Sequence, residues 1–241
     1  KFNIKNYFSV STDKASDPVN LMGASKNLME KFMFAYSNDI RITSARFANV
    51  LFSNGSILNS VDNRIIKKQP IAFPKKIKRY FISLEEASQI SLISSIIAMN
   101  NLILIPKNEL RKPFELKKVI LDYLKLNRIK PSFFYSESSI KKIKITNNAW
   151  PCLITLPDTS GEKLQERYIG KNEVEICNLF SSINAIQVKK DINFSQIKTF
   201  IKNFNNLKKD KNIKKNKIVK LLKRTIKNFD HKETFKSLNS R

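Results

Sequence analysis

The sequence predicts an α/β fold with parallel strands. Two observations carry this: short runs rich in Phe, Tyr, Ile and Val end in polar clusters, and each is followed by apolar residues at helical spacing, so strand and helix alternate. Lys1 to Ser11 is the first such run, and the polar cluster Ser11-Thr12-Asp13-Lys14 closes it as a buried strand ending at a site would. Pro18 and Asn20 then open a helix over Leu21 to Ser37, in which Leu21, Ala24, Leu28, Phe32 and Ala35 form one stripe. Arg41 to Leu51 reads as a second strand, followed by the turn Ser53-Asn54-Gly55-Ser56 and a helix over Ile57 to Lys68. Pro70 to Phe73 and Tyr80 to Ser83 are short extended pieces, and Leu84-Glu85-Glu86 starts a helix running to about Met99. Strands at Leu102 to Ile105, Ile129 to Phe134 and Leu153 to Thr155 alternate with a helix over Phe114 to Leu126 and a basic helix over Ser136 to Ile145. There is no internal repeat, and the one linker candidate is Lys208 to Lys217.

The 241 residues suffice for one good-sized core or two small ones. No apolar run reaches the roughly 18 to 20 residues needed to cross a bilayer; the longest candidate, Ile90 to Met99, is interrupted by Ser91, Ser94 and Ser95. Cys152 and Cys177 lie in no CxxC spacing, which fits a reducing, cytoplasmic setting. A net charge of +25 would ordinarily put nucleic acid first among partners. Yet the charge comes from 36 Lys and only 9 Arg, in the company of 26 Asn and 31 Ile, all abundant types encoded by A/T-rich codons. Arg, which reads guanine and phosphate in bidentate fashion, is the scarce one, so the composition argues against a nucleic-acid partner. Residues 189–241 alone supply +13 of the surplus. There Ile197, Phe200, Ile201 and Phe204, and then Ile218, Leu221, Leu222 and Ile226, recur at helical spacing with Lys opposite. That pattern reads either as a basic amphipathic element for an anionic membrane surface or nucleic acid, or as a solvated helical appendix.

Chemistry concentrates in Ser11-Thr12-Asp13-Lys14-Ala15 followed by Met22-Gly23-Ala24-Ser25-Lys26. A hydroxyl, a carboxylate and an amine stand at a strand end, and Met22 and Lys26, being i and i+4, share the helix face that can point at it. This layout is that of an extended short-chain dehydrogenase site, and the motif resembles that of the CapD-like polysaccharide biosynthesis family of nucleotide-sugar 4,6-dehydratases and their epimerase relatives. Ser44-Ala45-Arg46-Phe47-Ala48-Asn49-Val50 with Ser53-Asn54-Gly55-Ser56 is similar to its RFxNVxxSxGS segment, with Ala48 where many members have Gly. Lys78-Arg79-Tyr80-Phe81 with Glu85-Glu86-Ala87 resembles RYFxxxxEA, and Trp150-Pro151-Cys152 with Asp158-Thr159-Ser160-Gly161-Glu162-Lys163 resembles the late WPC and DTxGEK stretch. The resemblance covers residues 1 to about 188.

The resemblance implies the carboxyl-terminal part of a Rossmann-like NAD-binding fold, a small α/β substrate-binding region and a basic helical tail. Residues 1–70 would carry the catalytic motifs, 71–188 the substrate region and 189–241 the Lys-rich tail. Gly stands only at positions 23, 55, 161 and 170, so no GxGxxG is present; the family carries it before the STDKA strand. The chain is therefore expected to be an amino-terminally truncated part of the enzyme that alone binds NAD poorly.

The implied reaction is loss of water from a nucleotide-linked hexose, UDP-N-acetylglucosamine being the expected one, in a homo-oligomeric enzyme. It needs a group for the C4 hydroxyl proton, an acid and a base for elimination between C5 and C6, and a cation near the nicotinamide ribose. Met22 stands where a Tyr would take the C4 proton, and a thioether cannot. The resemblance assigns Thr12 as relay, Asp13 as the carboxyl acting at C4 or C6, Lys14 as C5 base and Lys26 as ribose ligand, with Ser11 and Met22 beside the cofactor. It assigns Asn49, Ser53, Asn54 and Ser56 to sugar or nucleotide, Arg79 to the diphosphate, and no metal.

Each residue has a plainer alternative. Thr12 to Lys14 could be an N-cap-like turn, Met22 core filling and Arg79 a surface ion pair. Trp150, Cys152 and Cys177 read as packing, and His231 lies in the tail with no partner evident from its neighbours. Epimerisation on the same fold, a catalytically inactive remnant, and a basic nucleic-acid- or lipid-binding module stand as the competing functions.

Overall fold

The structure, a computed structural model, describes residues 3–97, 99–140, 143, 145–146 and 149–236. In chain order its first elements are β1 (Asn6–Thr12), the 3-10 turn Asp13–Ala15, α1 (Leu21–Ala35), β2 (Arg41–Phe47), β3 (Asn49–Val50) and α2 (Ile57–Ile66). Next come β4 (Ile71–Pro74), β5 (Lys78–Arg79), β6 (Phe81–Ile82), α3 (Leu84–Ile97), β7 (Leu102–Pro106), β8 (Phe114–Glu115) and α4 (Leu116–Leu126). The last are β9 (Pro131–Phe134), α5 (Glu137–Ile140), β10 (Trp150–Thr155), β11 (Val174–Ile176), β12 (Ile183–Gln187), α6 (Phe194–Lys208) and α7 (Lys215–Thr225). No helix among the described residues is long and apolar enough to cross a membrane.

Two compact units result. The first comprises Lys1–Phe47, Ala87–Arg111 and Arg167–Glu233; the second comprises Ala48–Glu86, Lys112–Glu166 and Thr234–Arg241. The first unit holds a five-stranded sheet in the order β1-β2-β7-β12-β11. β1, β2 and β7 are parallel, as the alternation predicts. β12 runs antiparallel to β7, with Ile183 opposite Pro106, and β11 antiparallel to β12; neither strand is evident from periodicity. β2 and β7 are near-continuous buried runs, as strands covered on both faces should be. β1 is an edge strand, with Tyr7 and Val10 about half exposed.

The second unit is built on the parallel sheet β4-β10-β9, covered by α2 and α4. Val61, Ile71, Phe73, Ile77, Ile120, Leu124, Trp150 and Cys152 form its core, and Trp150 Nε1 donates to the Gln69 carbonyl at 3.1 Å. Burial pushes the Cys152 thiol up to about 12, so it is an inert packing residue, in line with the packing role expected for it.

Several expected elements change in detail. The strand expected over Arg41 to Leu51 breaks at Ala48 into β2 and β3, because Asn49 turns to pair with Phe81 of β6 in the second unit. The helix expected over Phe114 to Leu126 starts at Leu116, since Phe114 and Glu115 pair with β5 instead. Of the basic helix expected over Ser136 to Ile145, Glu137–Ile140 is helical, while Lys141, Lys142 and Lys144 lie outside the described residues.

The tail is not a solvated appendix. Ile197 of α6 and Leu222, Ile226 and Phe229 of and after α7 form one buried cluster with Ala24, Leu28 and Ala35 of α1, flanked by Leu21, Phe32, Phe200 and Ile218. The apolar faces that would enter a membrane are thus used on α1, and their Lys-bearing faces are left outward.

Candidate active site

β1 delivers its last residues to a tight turn. Thr12 caps the 3-10 turn, accepting from the Lys14 backbone N–H at 3.4 Å, so the capping reading of this residue is realised. The same hydroxyl donates to Asp13 Oδ1 at 3.0 Å, and the Lys14 ammonium donates to that oxygen at 2.9 Å. Asp13 is 0% exposed and its other oxygen, Oδ2, has no hydrogen-bond partner. Ser11 is also buried, with its Oγ unpartnered. Buried polar atoms are nearly always paired, because leaving one unpaired costs roughly 1–3 kcal/mol. The two atoms lie two residues apart where β1 runs into the 3-10 turn.

α1 supplies the facing wall. Asn20 caps it by accepting from Gly23 N–H at 2.8 Å, and Asn27 Nδ2 donates to the Ala15 carbonyl at 2.9 Å, tying the helix to the turn. Lys26 Nζ reaches the Val10 carbonyl at 3.5 Å and Met29 Sδ at 3.9 Å, long contacts that leave its donors largely unspent. Met22 is 48% exposed, so it is not core filling. Ser11, Thr12, Asp13, Lys14, Met22 and Lys26 therefore all belong to the first unit.

The residues expected at sugar and nucleotide fall in the second unit. Asn49 Nδ2 donates to the Tyr80 carbonyl at 3.0 Å, Ser53 Oγ to the Val50 carbonyl at 2.9 Å, and Ser56 caps α2. Asn54 is exposed in the turn that Gly55 closes with φ of 75°. Arg79 makes no ion pair among the described residues. One amino group donates to the carbonyls of Lys78 at 2.9 Å and Lys163 at 3.1 Å, leaving Nε and Nη2 without such bonds.

Sequence reading passes over the group that holds the first unit's site together. Arg46 is 1% exposed and forms bidentate pairs with two carboxylates. Nε and Nη2 reach Glu30 at 2.8 and 2.6 Å, Nη1 and Nη2 reach Glu173 at 2.6 and 2.7 Å, and Nη1 also reaches the Tyr168 carbonyl at 2.9 Å. Burial alone would lower the guanidinium pKa, but Glu30 and then Glu173 hold it above its ordinary value. Burial would likewise raise Glu173, yet its bonds to Arg46 and to the Gly170 N–H hold it below the usual carboxylate range. Glu173 belongs to the 167–173 loop, which also meets the turn: Ser16 Oγ donates to the Arg167 carbonyl, and Lys171 N–H donates to Asp17 at 3.0 Å. A signal did exist, since Gly23, Asn27, Glu30 and Phe34 form a second buried stripe on α1, but a charged member hides it from a search for apolar period. A cavity of about 280 Å³ opens beside Asn27, Glu30 and Asn228, away from Thr12 to Lys14.

Against this geometry, residues 1–188 match the polysaccharide biosynthesis protein family. The chain belongs to that family. It is similar to the capsular polysaccharide biosynthesis protein CapD of Staphylococcus aureus, 27% identical over 75% of this chain and 28% of that protein. It is also similar to a UDP-N-acetylglucosamine 4,6-dehydratase (inverting) of Campylobacter jejuni, 35% identical over 34% of this chain and 27% of that protein. Among solved structures it resembles Pen from Bacillus thuringiensis, with TM-score 0.57 and 20% identity over 76% of this chain and 52% of that one, a likeness of fold. The chain spans well under half the length of these two curated relatives. As a member of the polysaccharide biosynthesis family, it is related to nucleotide-sugar dehydratases and epimerases.

Proposed function

We propose that this chain carries the proton-transfer machinery of an NAD-dependent nucleotide-sugar 4,6-dehydratase acting on UDP-N-acetylglucosamine. The observation that carries the reading is Asp13: a fully buried carboxylate with one oxygen held by Thr12 and Lys14 and the other unpartnered. The 35% identity to the Campylobacter dehydratase supports the choice of substrate.

Lys14 and Asp13 together balance an elimination. The ammonium passes a proton to the carboxylate across their 2.9 Å hydrogen bond, giving an amine and a carboxylic acid. The neutral Lys14 Nζ then takes the C5 proton while Asp13 gives its proton to the departing C6 hydroxyl, which leaves as water. The pair ends as it began, ammonium beside carboxylate. Thr12, bonded to Asp13 Oδ1, relays the C4 hydroxyl proton to solvent, the task Met22 cannot perform, and Lys14, after exchange with solvent, returns a proton to C5 as C6 is reduced and is reprotonated from solvent.

NAD, when bound, supplies the hydride acceptor for C4 and the donor for C6. The nicotinamide-ribose end fits the residues present: Lys26 has unspent donors, Ser11 Oγ is an orphaned buried group, and Met22 is half exposed beside them in sequence. The four glycines form no GxGxxG turn, so the fit extends to the nicotinamide-ribose end and not to the pyrophosphate. In the second unit, Arg79 Nε and Nη2 would pair with the diphosphate, and Asn49 of β3, with Ser53, Asn54 and Ser56 in the turn that follows, would meet sugar or nucleotide.

The test is incubation of the full-length protein with NAD and UDP-N-acetylglucosamine in deuterium oxide, read by mass spectrometry. A product lighter by one water and carrying one deuterium at C5 is expected. Recovery of unchanged sugar, or of a stereoisomer alone, would overturn the dehydratase reading.

A further inference from the structure

Residues 189–236 lie beyond the stretch that matches the family, yet they return to the turn. Five residues, Ser16 to Asn20, connect the Asp13–Ala15 turn to α1, and the three central ones are each held by the segment that follows α7. Asn228 Nδ2 donates to Asp17 Oδ1 at 3.2 Å, Asp230 N–H donates to the Pro18 carbonyl at 3.1 Å, and His231 Nδ1 lies 2.7 Å from the Val19 carbonyl. A carbonyl only accepts, so in this contact Nδ1 is the donor. The side chain is 3% exposed, its ring stacked on Phe229 at 5.7 Å, with Nε2 3.3 Å from Glu233, which Lys215 pairs at 2.6 Å. Phe229 in turn belongs to the buried cluster with α1.

The connection needs such support. Asp17 sits at φ of 40°, a left-handed conformation uncommon for a residue with a side chain. The tail grips α1 through its apolar cluster and the connection through these three bonds, so it acts with the Asn27–Ala15 bond in setting the distance between the turn and the helix. We infer that residues 226–231 are a brace for the Asp13–Lys14 turn, and that His231 is its positioning residue, setting where Asp13 and Lys14 stand against Met22 and Lys26. The consequence for turnover rests on the dehydratase reading; the brace itself does not.

Hydrogen exchange of the full chain, resolved by mass spectrometry, tests it. In His231→Ala the amides of residues 13–24 are expected to exchange about tenfold faster while those of β7 stay within about twofold. His231→Asn, whose amide nitrogen takes the place of Nδ1, should restore protection. Unchanged exchange at 13–24 in folded His231→Ala, or no recovery in His231→Asn, overturns the brace. Should His231→Ala fail to fold, Asn228→Ala at an exposed position is expected to speed the same amides by about threefold, and no change there overturns the brace equally. With the full-length enzyme, His231→Ala should lower kcat about tenfold with KM within about twofold, the signature of a misplaced reacting group. If the unaltered enzyme performs no dehydration, the reaction reading fails and the exchange result alone decides the brace.

Discussion

Gly23 and Lys14 meet at a point where no side chain fits: a Cβ on Gly23 would come closer than 3.0 Å to the Lys14 carbonyl oxygen. Both partners are backbone, so neither can swing aside, and the first turn of α1 lies against the Asp13–Ala15 turn only because residue 23 has no side chain. Gly23→Ala is expected to cost about 1–3 kcal/mol, as overpacking generally does, despite alanine's better helix propensity. A urea midpoint equal to that of the unaltered protein would show that the contact relaxes freely.

Asp13→Asn keeps the shape of the side chain and removes its ability to exchange a proton. Turnover to the 4-keto-6-deoxy product is expected to fall by about 10²–10⁴, the usual contribution of a positioned acid or base. Thermal stability, measured alongside, separates this from unfolding. Activity within about threefold of the unaltered enzyme would remove Asp13 from the proposed chemistry.

Arg46→Met leaves Glu30, 4% exposed, as a buried charge without its partner. Breaking one side of a buried pair costs about 3–5 kcal/mol, and the Arg46 pair also holds the loop that carries Glu173. Urea titration reads the loss. Replacing Glu30 by Leu in the same chain should recover part of it, since the stranded charge is then gone.

Stability should depend on acid through Glu173. Its folded-state pKa lies below the ordinary 4.5 because Arg46 and the Gly170 N–H favour its charged form. A depressed folded pKa contributes stability above the unfolded value that is lost as pH falls through the folded one. Unfolding free energy should therefore decline below about pH 4.5, and Glu173→Gln should be less stable near neutrality with a shallower acid slope. Parallel slopes for the two proteins would exclude Glu173 as the titrating group.

Ile226 is 0% exposed within the cluster that joins the tail to α1. Ile226→Ala is expected to destabilise the protein by about 2–5 kcal/mol, a core-sized loss from a segment whose composition looks like a wet face. A loss below about 0.5 kcal/mol, the range of surface substitutions, would mean that the tail is only loosely attached.

Local geometry was legible because it is local. Thr12, Asp13 and Lys14 are adjacent in the chain, so their mutual bonds follow from sequence once the strand is placed, and the i, i+4 relation of Met22 and Lys26 follows from the helix. The parallel run of β1, β2 and β7, with β2 between the other two, was legible from alternation as parallel strands. β11 and β12 were not, because a three-residue strand and a five-residue strand at the end of a sheet carry too little period to separate them from loops. Nor was the Arg46 network, whose partners lie 16 and 127 residues away.

The sequence by itself determined that α1 buries the stripe Leu21, Ala24, Leu28, Phe32 and Ala35, and that the tail has an apolar face of its own. Only the tertiary structure decided that these two faces bury each other, and that His231 thereby reaches Val19. Periodicity shows which face leaves water, whereas the hydrophobic effect is non-directional and says nothing about what covers it. Partner choice is set by shape and by the few directional bonds, here three of them on a five-residue connection, that one arrangement of the chain can satisfy.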